Sequence, residues 1–477
     1  MSVEKGLRAN KKARIYTVFS SSGLSGSSVN FPTYHPDQKI LTNEEILGKL
    51  ENRCEGVEFV GETVPLTREK AQYAVSNIRN QQESLDGVLF FGTPPDELIS
   101  IGLPTVAVHP CWGQWEYPFN PLKGKKVLTS FLPVIPDRDE TVFPSRLEDI
   151  AGKIGRIQAI SKMKGLRVLV VTDRPVLGAF EPTSLQTGPN RKEYERVYLD
   201  NLRETFETEF LNISQEEMVE RMKGIGEEAE KVAEKWIDEA EGIKGTNKDE
   251  IVKSAKLYLA MKGLMEKYSC DAISTEGYGV FTNYKDGIIL SQGLPSSQFC
   301  TDGIVATSET LMDSLITQQL GLYITGSTGF NGDYIIDPPI DTAIVGHCEC
   351  PFNPYGDERR VPYVIRNRPQ VELNVGGACV QANLPIGETV TVAKISMHEK
   401  KISVFTGETV SGDELFPHWD DILCRTKLAI KTDAKVLFEN VDWKTFGNHR
   451  VAFYGDYRQE FKDLAKLIGF EVVEKDR

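Results

Sequence analysis

The chain has 477 residues, and a typical domain size of about 150 residues predicts three domains. Its hydrophobic content of 40% and its charged content of 26% are typical of a soluble globular protein. A formal net charge of -14 at pH 7 argues against a nucleic-acid partner, which would require a basic surface. A small neutral substrate is compatible with this charge.

Targeting features and cysteine usage predict a cytoplasmic protein. The basic residues near the N-terminus are not followed by an apolar segment, so we predict no secretory signal. No run approaches the roughly 18 apolar residues that a membrane helix needs, which predicts no membrane partner. The eight cysteines are scattered without the spacing of a disulfide framework, as expected in a reducing compartment: Cys54, Cys111, Cys270, Cys300, Cys348, Cys350, Cys379 and Cys424.

Residues 1–162 alternate between strand-like and helix-like patterns. An apolar run at 13–19 is followed by amphipathic segments at 44–53 and 68–81, which alternate with apolar runs at 57–60 and 87–91. Strands that alternate with helices are typical of a parallel, doubly wound sheet. We therefore predict a Rossmann-like α/β domain over residues 1–162.

A second doubly wound, Rossmann-like α/β domain is predicted over residues 163–345. It starts with the apolar run at 166–175, and the charged segment at 191–268 has the spacing of solvated helices. Residues 309–320 have one apolar face, which predicts a helix, and the apolar run before His347 predicts a strand.

Residues 346–477 are predicted to form a C-terminal domain that resembles a β-barrel. Apolar and polar residues alternate at period two over 387–410 and 424–441, as in antiparallel sheet with one exposed face. A helical pattern after residue 457 and a last strand complete the chain.

Two acids and two histidines in the second half of the chain could bind a divalent metal: Glu309, Asp333, His347 and His449. Carboxylate and imidazole groups are common ligands of such ions, and two carboxylates beside a metal can move protons on a sugar. Each residue also has a structural explanation. Ser308 is a good N-cap, so Glu309 would then only complement a helix dipole. Asp333 suits a turn beside glycine, and an isolated histidine is often structural.

Three further readings concern neighbouring motifs. The sequence His-Cys-Glu-Cys at 347–350 contains residue types that bind zinc, although its C-x-C spacing differs from the usual C-x₂₋₄-C form. Trp112 lies in an aromatic loop and could stack on a sugar ring, or it could pack in a loop or subunit interface. Glu276 ends a predicted strand and could face the same cleft as Glu309.

The order of these residues resembles the L-fucose isomerase and L-arabinose isomerase superfamily. In that superfamily a catalytic Glu begins a helix that leads into a Thr-Gly turn, a second acid follows, and a later strand ends in a histidine near a proline. Here Glu309 leads to Thr325-Gly326, Asp333 follows, and the segment VGHCECP contains His347. The C-terminal segment FGNHRVAFYGD also matches, and the resemblance covers about residues 300–477.

The resemblance implies a metal-dependent aldose–ketose isomerase of a pentose or a 6-deoxyhexose, acting through an enediolate. Glu309, Asp333 and His449 would then hold Mn²⁺, with Co²⁺ or Mg²⁺ as substitutes, and His347 would be a further ligand or a substrate contact. Glu309 and Asp333 would be the catalytic acids. The resemblance also implies a homotrimer or homohexamer in which the first domain of a neighbouring subunit helps to close the pocket.

One departure from the superfamily bears on the substrate. The family commonly has Glu-Gly-Asp where this chain has Glu309-Thr310-Leu311. Three alternatives therefore stay open at this point: an epimerase or isomerase of a modified sugar or sugar acid on the same scaffold, a non-catalytic sugar-binding protein, and a zinc-stabilised module built on residues 347–350.

Overall fold

The computed structural model describes most of the chain, in these segments: 11–19, 41–61, 68–109, 122, 124–132, 142–173, 191–276, 280–283, 287–369, 375–415 and 424–477. These residues fold as two compact units. One contains residues 10–162 with 462–471, and the other contains residues 163–461 with 472–477. Within the described segments, no helix has the length and apolar character needed to cross a membrane.

The first unit contains a five-stranded parallel sheet with the strand order β2-β1-β3-β4-β5. Its strands are β1 (Ala13–Phe19), β2 (Val57–Val60), β3 (Gly87–Phe91), β4 (Thr105–His109) and β5 (Val127–Phe131). Its described helices are Asn43–Glu51, Arg68–Asn80, Asp96–Ile99 and Val142–Met163. Every residue of β3 is buried, as its uninterrupted apolar sequence predicts for a central parallel strand. A capping box of Thr42 and Glu45 begins the first of these helices.

The first strands of the second unit are β6 (Arg167–Val171), β7 (Glu209–Ile213), β8 (Gly242–Lys244), β9 (Ala272–Thr275), β10 (Val280–Asn283), β11 (Ile288–Ser291) and β12 (Ala306–Thr307). Four of them form a parallel sheet of order β12-β9-β6-β7, and β10 and β11 form a two-stranded antiparallel sheet. The charged segment contains helices Arg191–Phe206, Gln215–Lys223, Glu227–Glu239 and Lys248–Tyr268, and a further helix spans Gly293–Thr301. The carboxyl ends of β9 and β12 lead directly to Glu276 and to Ser308-Glu309.

The strands from here to the C-terminus are β13 (Phe330–Asp337), β14 (Thr342–His347), β15 (Tyr363–Arg366), β16 (Cys379–Ala382), β17 (Thr389–Ser396), β18 (Lys401–Val410), β19 (Thr426–Lys431), β20 (His449–Tyr454) and β21 (Glu471–Glu474). Six of them form a closed antiparallel barrel, with the order β17-β20-β13-β14-β19-β18 and closure between β17 and β18, and β21 lies next to β18 in the same sheet. Strands β16, β15 and β8 form a separate small sheet. The prediction of a mixed α/β chain with parallel sheets and a barrel is thus confirmed.

The barrel begins earlier in the chain than predicted. Strands β13 and β14 belong to it, although the sequence analysis assigned residues up to 345 to the second α/β domain. The alternating pattern over 424–441 also ends early, because residues Ala434–Glu439 form a helix. Asp433 caps this helix by accepting a hydrogen bond from the Val436 amide, and this local interaction outweighs the period-two pattern. Short helices at Gly412–Leu415 and Trp443–Phe446 and a longer one at Arg458–Ile468 complete the chain.

The helix Met312–Thr325 packs against the barrel and is buried over most of its length. The Lys394 ammonium on β17 donates to the Ser314 hydroxyl at 2.6 Å, and the Ile395 amide donates to the Thr317 hydroxyl at 2.9 Å. The helix ends at Gly326, whose φ of 81° is the left-handed conformation that glycine adopts most easily. The helix is therefore fixed to the barrel at its first turns, next to Glu309.

Candidate metal centre

Three adjacent barrel strands bring Asp333, His347 and His449 together. In the antiparallel register, Asp333 of β13 lies opposite His449 of β20 and opposite Gly346 of β14, the residue before His347. The strands approach closely at this point because residue 332 is a glycine. A Cβ atom on Gly332 would lie 2.7 Å from the Gly346 carbonyl oxygen, so any side chain there would push β13 and β14 apart.

Asp333 lies within β13 and not in a turn before it, so the turn explanation for this acid is wrong. Its Oδ1 atom lies 3.6 Å from His449 Nε2, and its side chain is 43% exposed. The Asn448 amide donates to Oδ1 at 3.1 Å, and the Cys424 thiol lies 3.9 Å from Oδ2. Asp333 is thus a fixed but accessible carboxylate at the edge of the site.

Glu309 does not begin a helix, and the prediction that Ser308 is its N-cap is wrong. The helix begins at Met312, and its N-cap, Leu311, makes no side-chain capping bond. Leu311 and Met312 are fully buried, so packing against the core determines where the helix starts. Stabilisation of the helix dipole therefore does not explain Glu309.

Glu309 and Thr310 instead form a strained turn after β12. Their φ values are 65° and 55°, in the left-handed region that residues other than glycine rarely adopt, and a β-branched threonine least of all. The Thr310 amide donates to the Thr275 carbonyl at 3.0 Å, which fixes the turn against β9. Strain of this kind costs about 1–3 kcal/mol per residue and is found most often at functional sites.

The turn places the Glu309 carboxylate among the two histidines. One ligand atom from each of Glu309, His347 and His449 lies within 4.8 Å of the other two, among the residues that the structure describes. Glu309 Oε1 is 3.7 Å from His347 Nε2, and the two imidazole rings meet edge to face with centroids 5.6 Å apart. Both histidines are buried, with exposed fractions of 3% and 2%.

The charges of the site depend on one another. Burial alone would raise the pKa of Glu309, but the imidazoles of His347 and His449 and the nearby guanidinium of Arg368 hold it below its usual value. Burial would lower the pKa of His347, but the carboxylates of Glu349 and Glu309 outweigh burial and raise that pKa to about 10. In the metal-free protein at neutral pH, Glu309 is therefore ionised and His347 carries a proton.

Of the two proposed substrate residues, Trp112 lies outside the described residues and Glu276 lies within them. Glu276 follows β9 directly, its amide donates to the Val171 carbonyl at 2.9 Å, and its carboxylate accepts from the Thr172 hydroxyl. Its neighbour Thr275 contacts the Glu309 turn, so Glu276 is connected to the site through the backbone.

Two charged residues that the sequence analysis did not select lie beside the histidines. The Glu349 Oε2 atom is 3.9 Å from His347 Nδ1, and burial raises the pKa of this carboxyl. Arg368 is 7% exposed, and its charge helps to hold the pKa of Glu309 low and opposes the rise in the pKa of Glu349. The His-Cys-Glu-Cys motif contained Glu349, whereas no pattern in the sequence distinguished Arg368 from surface arginines.

The thiols of residues 348 and 350 do not join the cluster of Glu309, His347 and His449. Cys350 belongs to the apolar core of the unit, and its thiol contacts the Pro351 carbonyl at 3.5 Å. Cys348 contacts Cys379 and Cys424, and these contacts hold the pKa of its thiol well below the usual value. A zinc module that uses both Cys348 and Cys350 therefore finds no support in this geometry.

The donor set of the cluster fits a divalent cation. One carboxylate and two imidazoles converge from three different segments, and the Asp333 carboxylate lies beside them. Mn²⁺, Co²⁺ and Zn²⁺ all accept carboxylate oxygen and imidazole nitrogen ligands. The ligand types therefore fit a divalent metal but do not determine which one.

Comparison with known proteins gives no family for the chain. No model of a protein family matches it, and no curated protein matches it. Among solved structures, one described as a periplasmic ribose ABC transporter from Conexibacter woesei is similar over 66% of this chain and 84% of its own, with 14% sequence identity and a TM-score of 0.15. A likeness of this strength carries no argument about fold or function.

Proposed function

We propose that this protein is a metal-dependent aldose–ketose isomerase that acts on a pentose or a 6-deoxyhexose through an enediolate intermediate. The observation that carries the proposal is the convergence of Glu309, His347 and His449 within 4.8 Å of one another. A second carboxylate, that of Asp333, lies 3.6 Å from His449. A metal beside two carboxylates suits isomerisation, because a proton must move between two neighbouring carbons while negative charge develops on the sugar oxygens.

Glu309, His347 and His449 would hold the ion, with Asp333 as a further ligand. Mn²⁺ is the proposed cofactor, and Co²⁺ or Mg²⁺ would substitute for it. A divalent cation at this position supplies Lewis-acid stabilisation of the negative charge that develops on adjacent sugar oxygens.

The two carboxylates would carry the proton transfers. Glu309 is ionised at neutral pH, because the two histidines and Arg368 hold its pKa below the usual value, so its carboxylate is free to accept a proton. Asp333 is 43% exposed, so it can reach a bound sugar and exchange protons with solvent. Positioned acids and bases typically contribute about 10²- to 10⁴-fold each to a rate.

The proposal includes membership of the L-fucose and L-arabinose isomerase superfamily. The parallel sheets that precede a closed barrel support it, as does the order of Glu309, Asp333, His347 and His449 along the chain. The same proposal includes two doubly wound Rossmann-like domains with a boundary near residue 162, a homotrimer or homohexamer, and a cytoplasmic location.

The experiment is a turnover assay of the purified protein with Mn²⁺ against a panel of aldopentoses and 6-deoxyaldohexoses, with and without prior chelation. We expect at least one aldose to yield its ketose, and we expect chelation to abolish this activity until Mn²⁺ is restored. Conversion of a sugar to its epimer would instead indicate an epimerase. Sugar binding without any conversion would indicate a non-catalytic binding protein.

A further inference from the structure

The imidazole of His347 lies between two carboxylates. Its Nε2 atom faces Glu309 at 3.7 Å, and its Nδ1 atom faces Glu349 Oε2 at 3.9 Å. Glu349 follows His347 by two residues, immediately after β14, and is 8% exposed. One ring nitrogen thus points to the metal-binding cluster, and the other points away from it to a buried acid.

Within the described part of the chain, each of these two side chains has one buried polar atom without a hydrogen bond. Among the described residues, neither His347 Nδ1 nor Glu349 Oε1 has a hydrogen-bond partner. A buried polar atom without a partner costs roughly 1–3 kcal/mol, so a fold does not retain such atoms without a reason. The distance of 3.9 Å between His347 Nδ1 and Glu349 Oε2 is too long for a hydrogen bond, so the ring or the carboxylate must move by about 1 Å to form one.

Histidines that bind metals generally donate their other ring N–H to a carboxylate, a carbonyl or water, which fixes the tautomer and the direction of the ring. We propose that Glu349 is the positioning residue of His347: its carboxylate accepts a hydrogen bond from Nδ1–H and thereby presents the Nε2 lone pair to the ion. This inference rests on the metal site of the proposed function.

A direct role for Glu349 fits the geometry less well. Its carboxylate lies on the Nδ1 side of the ring, opposite Glu309, and Glu349 is not part of the group whose ligand atoms converge within 4.8 Å. Glu349 is also only 8% exposed, against 43% for the Asp333 side chain, so little of it is accessible to a sugar. Glu349 therefore acts through His347 and not on the substrate.

The test is a double-mutant cycle measured as the dissociation constant of Mn²⁺, without any sugar. Glu349→Met retains the volume of the side chain but offers no acceptor, and Glu349→Gln retains an acceptor oxygen. We expect Glu349→Met to weaken Mn²⁺ binding by about 10- to 100-fold. Glu349→Gln should weaken it by less. In a His347→Ala background, Glu349→Met should cause no further loss, because its effect passes through His347.

Asp302→Asn is the matched control, since Asp302 is a largely buried carboxyl in the same unit that hydrogen-bonds Tyr258 and Gln298. It should leave Mn²⁺ affinity unchanged. Equal losses from Glu349→Met in both backgrounds, no loss in either, or no Mn²⁺ binding by the wild type would overturn the inference. Coupling without turnover of any aldose would refute the isomerase proposal alone, whereas turnover without coupling would refute only the role of Glu349.

Discussion

Replacing Glu309 by Gln is expected to lower kcat/KM for the best aldose by about 10³-fold or more. The substitution retains the shape of the side chain but removes the charge that the two imidazoles and Arg368 stabilise in the folded protein. Two functions are then lost together: an anionic metal ligand and a base for proton abstraction, the latter alone being worth about 10²- to 10⁴-fold. Steady-state kinetics and metal content should be measured on the same preparations.

Asp333→Asn should separate these two functions. The Asp333 carboxylate lies outside the group of three convergent ligand atoms and is more exposed than Glu309. We therefore expect a loss of turnover of about 10²-fold or more with a smaller loss of bound metal. Asp337→Asn, at the other end of β13, is the control and should retain wild-type kinetics. Wild-type turnover in Glu309→Gln would contradict the assignment.

The second large effect concerns pH. In the metal-free protein the pKa of His347 is raised to about 10, so a metal must displace its proton at any lower pH. The apparent affinity for Mn²⁺ should therefore rise with pH, by up to about tenfold per pH unit, or about 100-fold between pH 7 and pH 9. Anaerobic titrations with Mn²⁺, followed by electron paramagnetic resonance of the free ion, would measure this slope.

His347→Gln should lower the affinity for Mn²⁺ and flatten its pH slope. His398→Gln, which changes a histidine paired with Glu399, should leave both unchanged.

The proton on His347 also affects the stability of the metal-free fold. Because the folded pKa lies above the ordinary value of 6.5, the stability that protonated His347 gives to the metal-free fold is complete below about pH 6.5 and is lost as the pH rises through about 10. An equal slope in His347→Gln would show that the displaced proton is elsewhere.

Periodicity predicted the regular parts of this chain well. Strands buried on both faces give continuous apolar runs, as in β1, β3 and β6. Strands buried on one face give alternating apolar and polar residues, as in β17 and β18. The segment 434–439 escaped this reasoning, because its alternation resembles a strand while Asp433 provides a helix cap.

The candidate site was predictable only in part. Sequence order identified Glu309, Asp333, His347 and His449, but their proximity depends on which barrel strands are neighbours, and local patterns do not encode this. The left-handed turn at Glu309 and Thr310 could not be predicted from the sequence either, because neither residue type favours a positive φ. In the sequence, Glu349 appears only as a member of the His-Cys-Glu-Cys motif. Its position on the Nδ1 side of the His347 ring is visible only in the three-dimensional structure.

The most direct test of a metal-centred isomerase is the location of the ion itself. Crystals grown with Mn²⁺ should give one anomalous scattering peak bounded by Glu309, His347 and His449, with ligand atoms roughly 2.0–2.3 Å away. Loss of that peak in Glu309→Gln crystals would confirm the ligand. A fully ordered site without a peak, or a peak only at the Cys348, Cys379 and Cys424 thiols, would contradict the account.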